Sequence, residues 1–150
     1  MTRQTTATRI LYAAVCAAAM LVGCGDKEPA VPTVLEARDQ PYVVDVPVPK
    51  GFKLDRRQSD HSYKEGRRKV KHYYLGSKDP QSVRNFYYAN MPSGQWRLVD
   101  ETLTAGVYTL KFRKFEEMCE VRIEKVPAGM FAPSTQVLVT IRTPHLERPD

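Results

Sequence analysis

The chain has 150 residues, with 23 lysines and arginines against 17 aspartates and glutamates, which gives a formal net charge of +6 at neutral pH. This length suits one domain of ordinary size with an additional segment, and it leaves no room for a second large domain. The hydrophobic share of 42% is enough for a packed core, which excludes a wholly disordered chain.

A short apolar segment lies near the amino terminus. Two arginines, Arg3 and Arg9, precede an alanine-rich run from Ile10 to Leu21 that contains no charged residue. A membrane span needs about 20 apolar residues, so this run is too short to cross a bilayer and suits the apolar region of a signal peptide. The run ends in Leu21-Val22-Gly23-Cys24, after which the chain turns abruptly polar.

The Leu-Val-Gly-Cys sequence resembles the lipobox of bacterial lipoproteins. The resemblance implies that residues 1–23 are a cleaved signal peptide and that Cys24 is the lipid attachment site, with diacylglycerol on its thiol. It also implies a lipid-anchored protein of the cell envelope that faces the periplasm. Gly25 follows the cysteine where aspartate tends to retain lipoproteins at the inner membrane, which slightly favours the outer membrane. An ordinary secretory signal cleaved at another site is the alternative.

The remaining cysteines agree with export. Cys16 would leave with the signal peptide and Cys24 would carry lipid, so Cys119 has no partner for an intramolecular disulfide. Cys119 alternates with Val121 and Ile123, a spacing that puts all three on one face of a strand. We therefore predict a buried core cysteine rather than a nucleophile.

Residues 24–49 are predicted to form a proline-rich tether. They hold five prolines and no sustained apolar period, and proline fixes φ and removes a hydrogen-bond donor. An alternative for residues 42–48 is an edge strand that already pairs with the domain, because proline is tolerated at sheet edges. The domain itself is predicted over residues 50–143, and residues 144–150 are predicted to be a frayed tail.

The domain begins with two predicted strands and one helix. A weak strand near Phe52–Leu54 leads into a polar stretch, and a glycine turn at 64–67 precedes a strand over Arg68–Leu75. Asp79-Pro80 supplies an N-cap and a proline at the first helical position. The apolar residues that follow recur with helical spacing and predict one buried stripe: Val83, Phe86, Tyr87 and Met91.

Four strands are predicted after the helix, near residues 96–99, 108–113, 119–126 and 137–141. Each shows alternating apolar and polar residues, and glycine or proline separates several of them. The predicted fold class is α+β, a single antiparallel sheet of about five to six strands with one amphipathic helix packed on one face.

The helix and the strand after it resemble a small α/β domain of uncharacterised bacterial lipoproteins. The likeness rests on Phe86-Tyr87-Tyr88, Met91-Pro92, Gly94 and Trp96, covers about residues 70–113, and implies no activity. The helical spacing predicts that Phe86 and Tyr87 are core residues, with Tyr88 on the flank. The alternative is an aromatic cleft for a ligand between helix and sheet.

Motifs of catalysis and metal binding are absent from the sequence. His61, His72 and His145 stand in different elements without metal spacing, and the sequence has no nucleophile elbow or phosphate loop. Glu116, Glu117 and Glu120 are predicted to be solvated charges near a turn. We therefore predict no catalytic residue, no metal and no cofactor, and the chain is not expected to be an enzyme.

Basic residues around the first predicted turn are the strongest candidate for a binding surface. Residues 50–78 carry ten basic and three acidic side chains. Export argues against nucleic acid, so the expected partner is an anionic component of the envelope or an envelope protein. The alternative is that the charges only solubilise a hairpin and protect its edge. The candidate anion-binding residues are Arg56, Arg57, Arg67, Arg68, Lys69 and Lys71.

These observations support two functions. The first is a membrane-anchored exported lipoprotein that acts as a non-catalytic interaction or structural module of the cell envelope. The second is an accessory protein that binds a small exported ligand at an aromatic helix–sheet cleft.

Overall fold

The computed structural model describes residues 34–127 and 135–143. The predicted signal peptide, Cys24 and the predicted tail 144–150 lie outside these residues. The described elements are, in chain order, β1 (Lys53–Leu54), β2 (Asp60–Lys64), β3 (Arg67–Gly76), α1 (Pro80–Asn90), a 3₁₀ helix (Met91–Gly94), β4 (Arg97–Thr104), β5 (Val107–Lys114), β6 (Glu117–Lys125) and β7 (Thr135–Arg142).

All seven strands belong to one antiparallel sheet in the order β1-β3-β7-β6-β5-β4, and β2 also pairs with β3. The predicted α+β class with one antiparallel sheet and one α-helix is confirmed. The predicted count of five to six strands is wrong, because β2 is an additional strand. All five residues of β2 are exposed, so this strand lacks the apolar alternation by which strands are recognised in a sequence.

β1 and β2 form one interrupted strand along the same side of β3. Leu54 pairs with Tyr74, and Asp60 pairs with Lys71. Residues 55–59 loop out between them. Both ends of this loop are fixed to Tyr73, whose carbonyl accepts from the Asp55 amide at 2.8 Å and whose amide donates to Ser59 Oγ at 2.9 Å.

The helix α1 has the capping and the buried stripe that its sequence predicts. Asp79 Oδ1 accepts from the Ser82 amide at 2.8 Å, which satisfies one of the free N–H groups of the first turn. Its apolar stripe packs against β5 and β6. The predicted stripe residues Val83, Phe86, Tyr87 and Met91 are all buried, as is Cys119 on the facing sheet.

The segment before β1 is part of the core. Val46 and Val48 are 1% and 0% exposed, and the ring of Phe52 lies where a Cβ of Gly76 would otherwise stand. The ring of Tyr42 lies 5.8 Å from that of Tyr74. This segment covers the part of the sheet that contains β3, and α1 covers the part that contains β5 and β6.

The tether and domain boundaries predicted at residue 50 therefore need correction. Glu36 and Arg38 form backbone hydrogen bonds with Lys50 and Val48 at 2.8 and 2.9 Å, so this stretch is paired rather than free. The prolines allow an extended backbone but do not prevent packing, and the valines between them supply the buried surface. The domain begins near Leu35, and only the part of the predicted tether before it remains a prediction.

A chain that begins at Lys50 should fail to fold stably, whereas a chain that begins at Asp26 should fold. Burial of each valine contributes about 1.5–3 kcal/mol, so loss of Val46 and Val48 removes much of a typical total of about 5–15 kcal/mol. Urea denaturation followed by circular dichroism would measure this difference. Equal denaturation midpoints for the two chains would show that residues 35–49 contribute nothing to the core.

Candidate functional site

Asp45, in the turn at residues 43–46, is the acceptor of a cluster of charge-assisted hydrogen bonds. Arg68 donates to its two carboxylate oxygens at 2.7 and 2.6 Å, and Lys114 donates to Oδ2 at 2.7 Å. Arg68 also donates two hydrogen bonds of 2.7 Å to Glu117. The four side chains are 15–22% exposed, so the cluster is largely shielded from water.

Trp96 completes this cluster from the side of the 3₁₀ helix. Its Nε1 donates to the Asp45 carbonyl at 2.9 Å, and the Arg68 and Lys114 head groups each lie 5.7 Å from its ring centre. Such cation–π contacts favour the two cations at this place. A Cβ at Gly94 would collide with the Asp45 carbonyl, so a residue without a side chain is required here.

The charge of Asp45 is strongly favoured by its partners. Burial alone raises the pKa of the carboxyl group, but hydrogen bonds from Arg68 and Lys114 and their positive charges lower the pKa to about 2. Asp45 is therefore ionised in the folded protein at neutral pH and balances the two cations. The cluster is a structural ion network that joins the N-terminal segment to the sheet.

The structure separates Arg68 from the other candidate anion-binding residues. Its guanidinium is occupied by Asp45 and Glu117, so the prediction that Arg68 binds an external anion is wrong. Glu117 is likewise ion-paired and only 21% exposed, which corrects its prediction as a solvated charge. The reason is the two-residue period of β3, which puts Arg68 on the core side with Val70.

The other five candidate residues are exposed. Arg56 and Arg57 lie on the loop 55–59, beside the edge strand. Lys69 and Lys71 project from the sheet face opposite α1, and Lys71 Nζ lies 5.4 Å from the Tyr73 ring centre. Arg67 is exposed at the start of β3. The basic surface thus runs from the edge loop onto the outer face of the sheet.

The aromatic residues between helix and sheet form a closed core. Phe86, Tyr87 and Trp96 are 3%, 0% and 1% exposed, as the prediction of core residues requires. The Tyr87 hydroxyl is buried without a hydrogen-bond partner among the described residues, and burial raises its pKa well above the ordinary value. Tyr88 is 53% exposed on the flank, with the Arg84 guanidinium 4.8 Å from its ring centre.

His72 is a buried structural histidine. Its Nδ1 lies 3.0 Å from the Tyr74 hydroxyl, and its ring meets that of His61 edge-on at 5.5 Å between centres. Burial lowers the pKa of His72, and the nearby His61 lowers it further. No group of three or more potential ligands that could hold a metal ion occurs in residues 34–127 and 135–143. His145 lies outside the described residues.

Two of the surface depressions among the described residues are lined by basic side chains. The larger, of about 510 Å³, lies beside the N-terminal segment and is lined by Arg38, Tyr42, Lys50 and Lys53 among others. The smaller, of about 140 Å³, lies on the outer face of the sheet between β5, β6 and β7. Neither coincides with the aromatic helix–sheet contact, which the core side chains fill.

The fold and its surface define an α+β domain with one helix-covered sheet face and basic side chains on its edge and outer face. The sequence profile of the START domain-like family matches residues 57–140, more than half of the chain. The chain belongs to this family. A search of curated proteins and a search of solved structures each found no match. Among the described residues, no helix is long and apolar enough to cross a membrane.

Substitution of Asp45 by asparagine should lower the free energy of unfolding by about 2 kcal/mol at pH 7. The pKa of Asp45 in the folded state lies below its ordinary value of 3.8. Ionised Asp45 therefore stabilises the fold above about pH 4, and this contribution disappears as the pH falls through about 2. Urea denaturation of native protein and Asp45→Asn across this range would show their stabilities converging at low pH.

Glu36→Gln is the matched control, because Glu36 pairs with Lys50 at the surface, where its side chain is 75% exposed. An exposed ion pair contributes little to stability, so this variant should stay close to the native protein at pH 7. A difference between native protein and Asp45→Asn that does not change with pH would contradict the assigned role of the carboxylate.

Charge reversal at two adjacent residues of β3 should have very different effects on stability. Lys69→Glu lies on the exposed face opposite Ser62, so the free energy of unfolding should change by no more than about 0.5 kcal/mol. Arg68→Glu would place a third carboxylate beside Asp45 and Glu117, and should cost about 3 kcal/mol or more. Thermal denaturation of both variants checks this pair, and equal melting temperatures would refute it.

Proposed function

We propose that the protein is an exported, membrane-anchored lipoprotein whose START domain-like domain serves as a non-catalytic interaction module of the cell envelope. Cys24, outside the described residues, is the proposed lipid attachment site. The single observation that carries the anchor is Leu21-Val22-Gly23-Cys24 at the end of a short apolar run with arginines before it. The proposed location is the envelope, with the domain facing the periplasm.

The surface of the domain supports an interaction role. Arg56, Arg57, Lys69 and Lys71 are exposed along one edge and the outer face, where they can meet an anionic partner. On the core side of the sheet, charged side chains form ion pairs with one another instead, as in the cluster around Asp45. The module thus presents cations outward and keeps its internal charges balanced.

The alternative of a small ligand in an aromatic cleft receives less support. Such a ligand would have to enter between α1 and the sheet, where Phe86, Tyr87 and Trp96 pack against neighbouring core residues. Core side chains of this size are held at close packing, and their displacement would cost several kcal/mol. The exposed basic surface is the simpler site.

Replacement of Cys24 by alanine should release the protein from its anchor and leave the precursor uncleaved. Two or more acyl chains hold a protein stably in a membrane, since each buried CH₂ contributes about 0.8 kcal/mol. Metabolic labelling with a radioactive fatty acid and gel mobility would report lipidation and processing. Cys119→Ala is the control that keeps the anchor. Undiminished labelling of Cys24→Ala would contradict the proposal.

A further inference from the structure

One end of the sheet, here termed the turn end, brings several turns together. It is the end at which β3, β4 and β6 begin and β5 and β7 finish, so the β2–β3 and β5–β6 turns lie there. The ion pairs of Asp45 hold the turn at residues 43–46 at the same end. The cross-strand pairs that mark the turn end are Lys114–Glu117, Met118–Arg142 and Arg97–Arg113.

The turn end carries the most exposed apolar side chains of the domain. Val44 is 95%, Phe115 is 81% and Tyr63 is 75% exposed. Among the large hydrophobic side chains of the described residues, only Val34 has a comparable exposure. Each of the three lies in or next to a turn, so these side chains extend beyond the end of the sheet.

Phe115 occupies its position at a conformational cost. Its φ is 50°, in the left-handed region where glycine or asparagine is favoured and where a bulky side chain is rare. The exposed ring gains little from contacts within the domain that would offset this cost. A strained, solvent-exposed aromatic residue at a turn tip is a feature that suits contact with something outside the protein.

Basic side chains surround these apolar tips. The acidic residues in this part of the described chain are Glu65, Glu116, Asp45 and Glu117. The last two are ion-paired with Arg68 or Lys114. Arg97 and Arg113 stand directly opposite each other, although like charges in such a pair destabilise a sheet. Besides Arg68 and Lys114, the basic residues of the turn end are Lys64, Arg67, Lys69, Arg97, Arg113 and Arg142. Lys64 lies 3.8 Å from the Glu65 carboxylate.

The geometry points to the turn end as a docking surface for a bilayer that contains acidic phospholipids. Apolar and aromatic tips enter the headgroup region of a bilayer, and surrounding lysines and arginines bind its anionic surface. This inference deepens the proposed function, on which it rests, because an anchor at Cys24 holds the domain close to a membrane. It adds the orientation in which the domain meets that membrane.

The length of chain between anchor and domain permits this orientation. Val34 is the tenth residue after Cys24, and ten extended residue steps span at most about 35 Å. The ten-residue strand β3 is about 33 Å long, so the anchor can serve either end of the sheet. The exposed tips and the charge of the turn end, rather than the tether, select the end that docks.

The test uses the full lipidated protein in vesicles, with one labelled cysteine in each variant. Cys119 is buried and its pKa is raised by burial, so a thiol at the surface reacts selectively. Val44→Cys places an environment-sensitive fluorophore at the turn end. Leu103→Cys places it beside the β4–β5 turn at the opposite end, on a side chain that is 59% exposed. Nitroxide-labelled lipids report the contact of each fluorophore with the bilayer.

Co-flotation with vesicles of phosphatidylcholine alone measures membrane anchoring, because it depends on the lipid attached to Cys24. Vesicles of equimolar phosphatidylcholine and phosphatidylglycerol measure docking. We expect quenching at residue 44, and not at residue 103, only in the acidic vesicles. Loss of flotation on both compositions would refute the anchor, whereas flotation with equal quenching of both labels would refute docking by the turn end.

Two variants of the Val44→Cys protein test the contributions of charge and of Phe115. The first is a triple variant that reverses three charges of the turn end: Lys69→Glu, Arg113→Glu and Arg142→Glu. It should lower the ratio of docked to undocked domain by about a hundredfold or more, since each cation near the surface contributes about fivefold to this ratio. Lys78→Glu with Lys125→Glu is the control at the other end. Phe115→Asn should reduce quenching while the melting temperature stays equal or rises, because asparagine tolerates the left-handed conformation.

The outcome for Phe115→Asn separates a membrane role from a structural one. Reduced docking with retained stability supports the inference, and unchanged docking overturns the role of the turn tips. The fluorophore at residue 44 could instead respond to solubilised envelope proteins and not to acidic lipid. That result would contradict a bilayer as the partner and would assign the surface to a protein.

Discussion

The structure depends on the carboxylate of Asp45. Without it, Arg68 and Lys114 would be two partly buried cations with Glu117 as their shared acidic neighbour, and the N-terminal segment would lose its tie to the sheet. Trp96 adds a hydrogen bond to the carbonyl of the same residue, so the backbone and the side chain of Asp45 both serve as acceptors. Three distant parts of the chain therefore meet at Asp45, and an uncompensated charge at this place would be costly.

The N-terminal segment has the role that a second helix has in many two-layer domains. The helix α1 is eleven residues long and covers β5 and β6, which leaves the β3 side of the sheet to Val46, Val48 and Phe52. The family match begins at residue 57, after this segment. The matched region therefore contains the whole sheet apart from β1 and the last residues of β7, but lacks part of the layer that covers it.

Local signals in the sequence predicted much of the fold, and distant contacts account for the rest. Asp79-Pro80 and the spacing of the apolar residues that follow define α1, because capping and amphipathicity act within a few residues. Alternation likewise identified the strand around Cys119. The ion network was missed, since Arg68 lies 23 residues from Asp45 and 49 from Glu117 along the chain. The alternation of β3 was a usable signal, because it places Arg68 on the face of Val70 and apart from Lys69. Charge density identified a basic surface but not the residues that are engaged inside the fold.

The pairing of Glu36 and Arg38 with residues 48–50 has a mechanical consequence. These two backbone hydrogen bonds lie where the described chain enters the domain, with Val46 and Val48 behind them. A pull on the amino terminus that peels this short antiparallel pair apart would open its two hydrogen bonds one at a time, before the ion pairs of Asp45 separate. The entry segment would thus yield first under tension and could close again when the tension is released, because its two backbone hydrogen bonds resist less force than the hydrogen-bond ladder of the seven-stranded sheet.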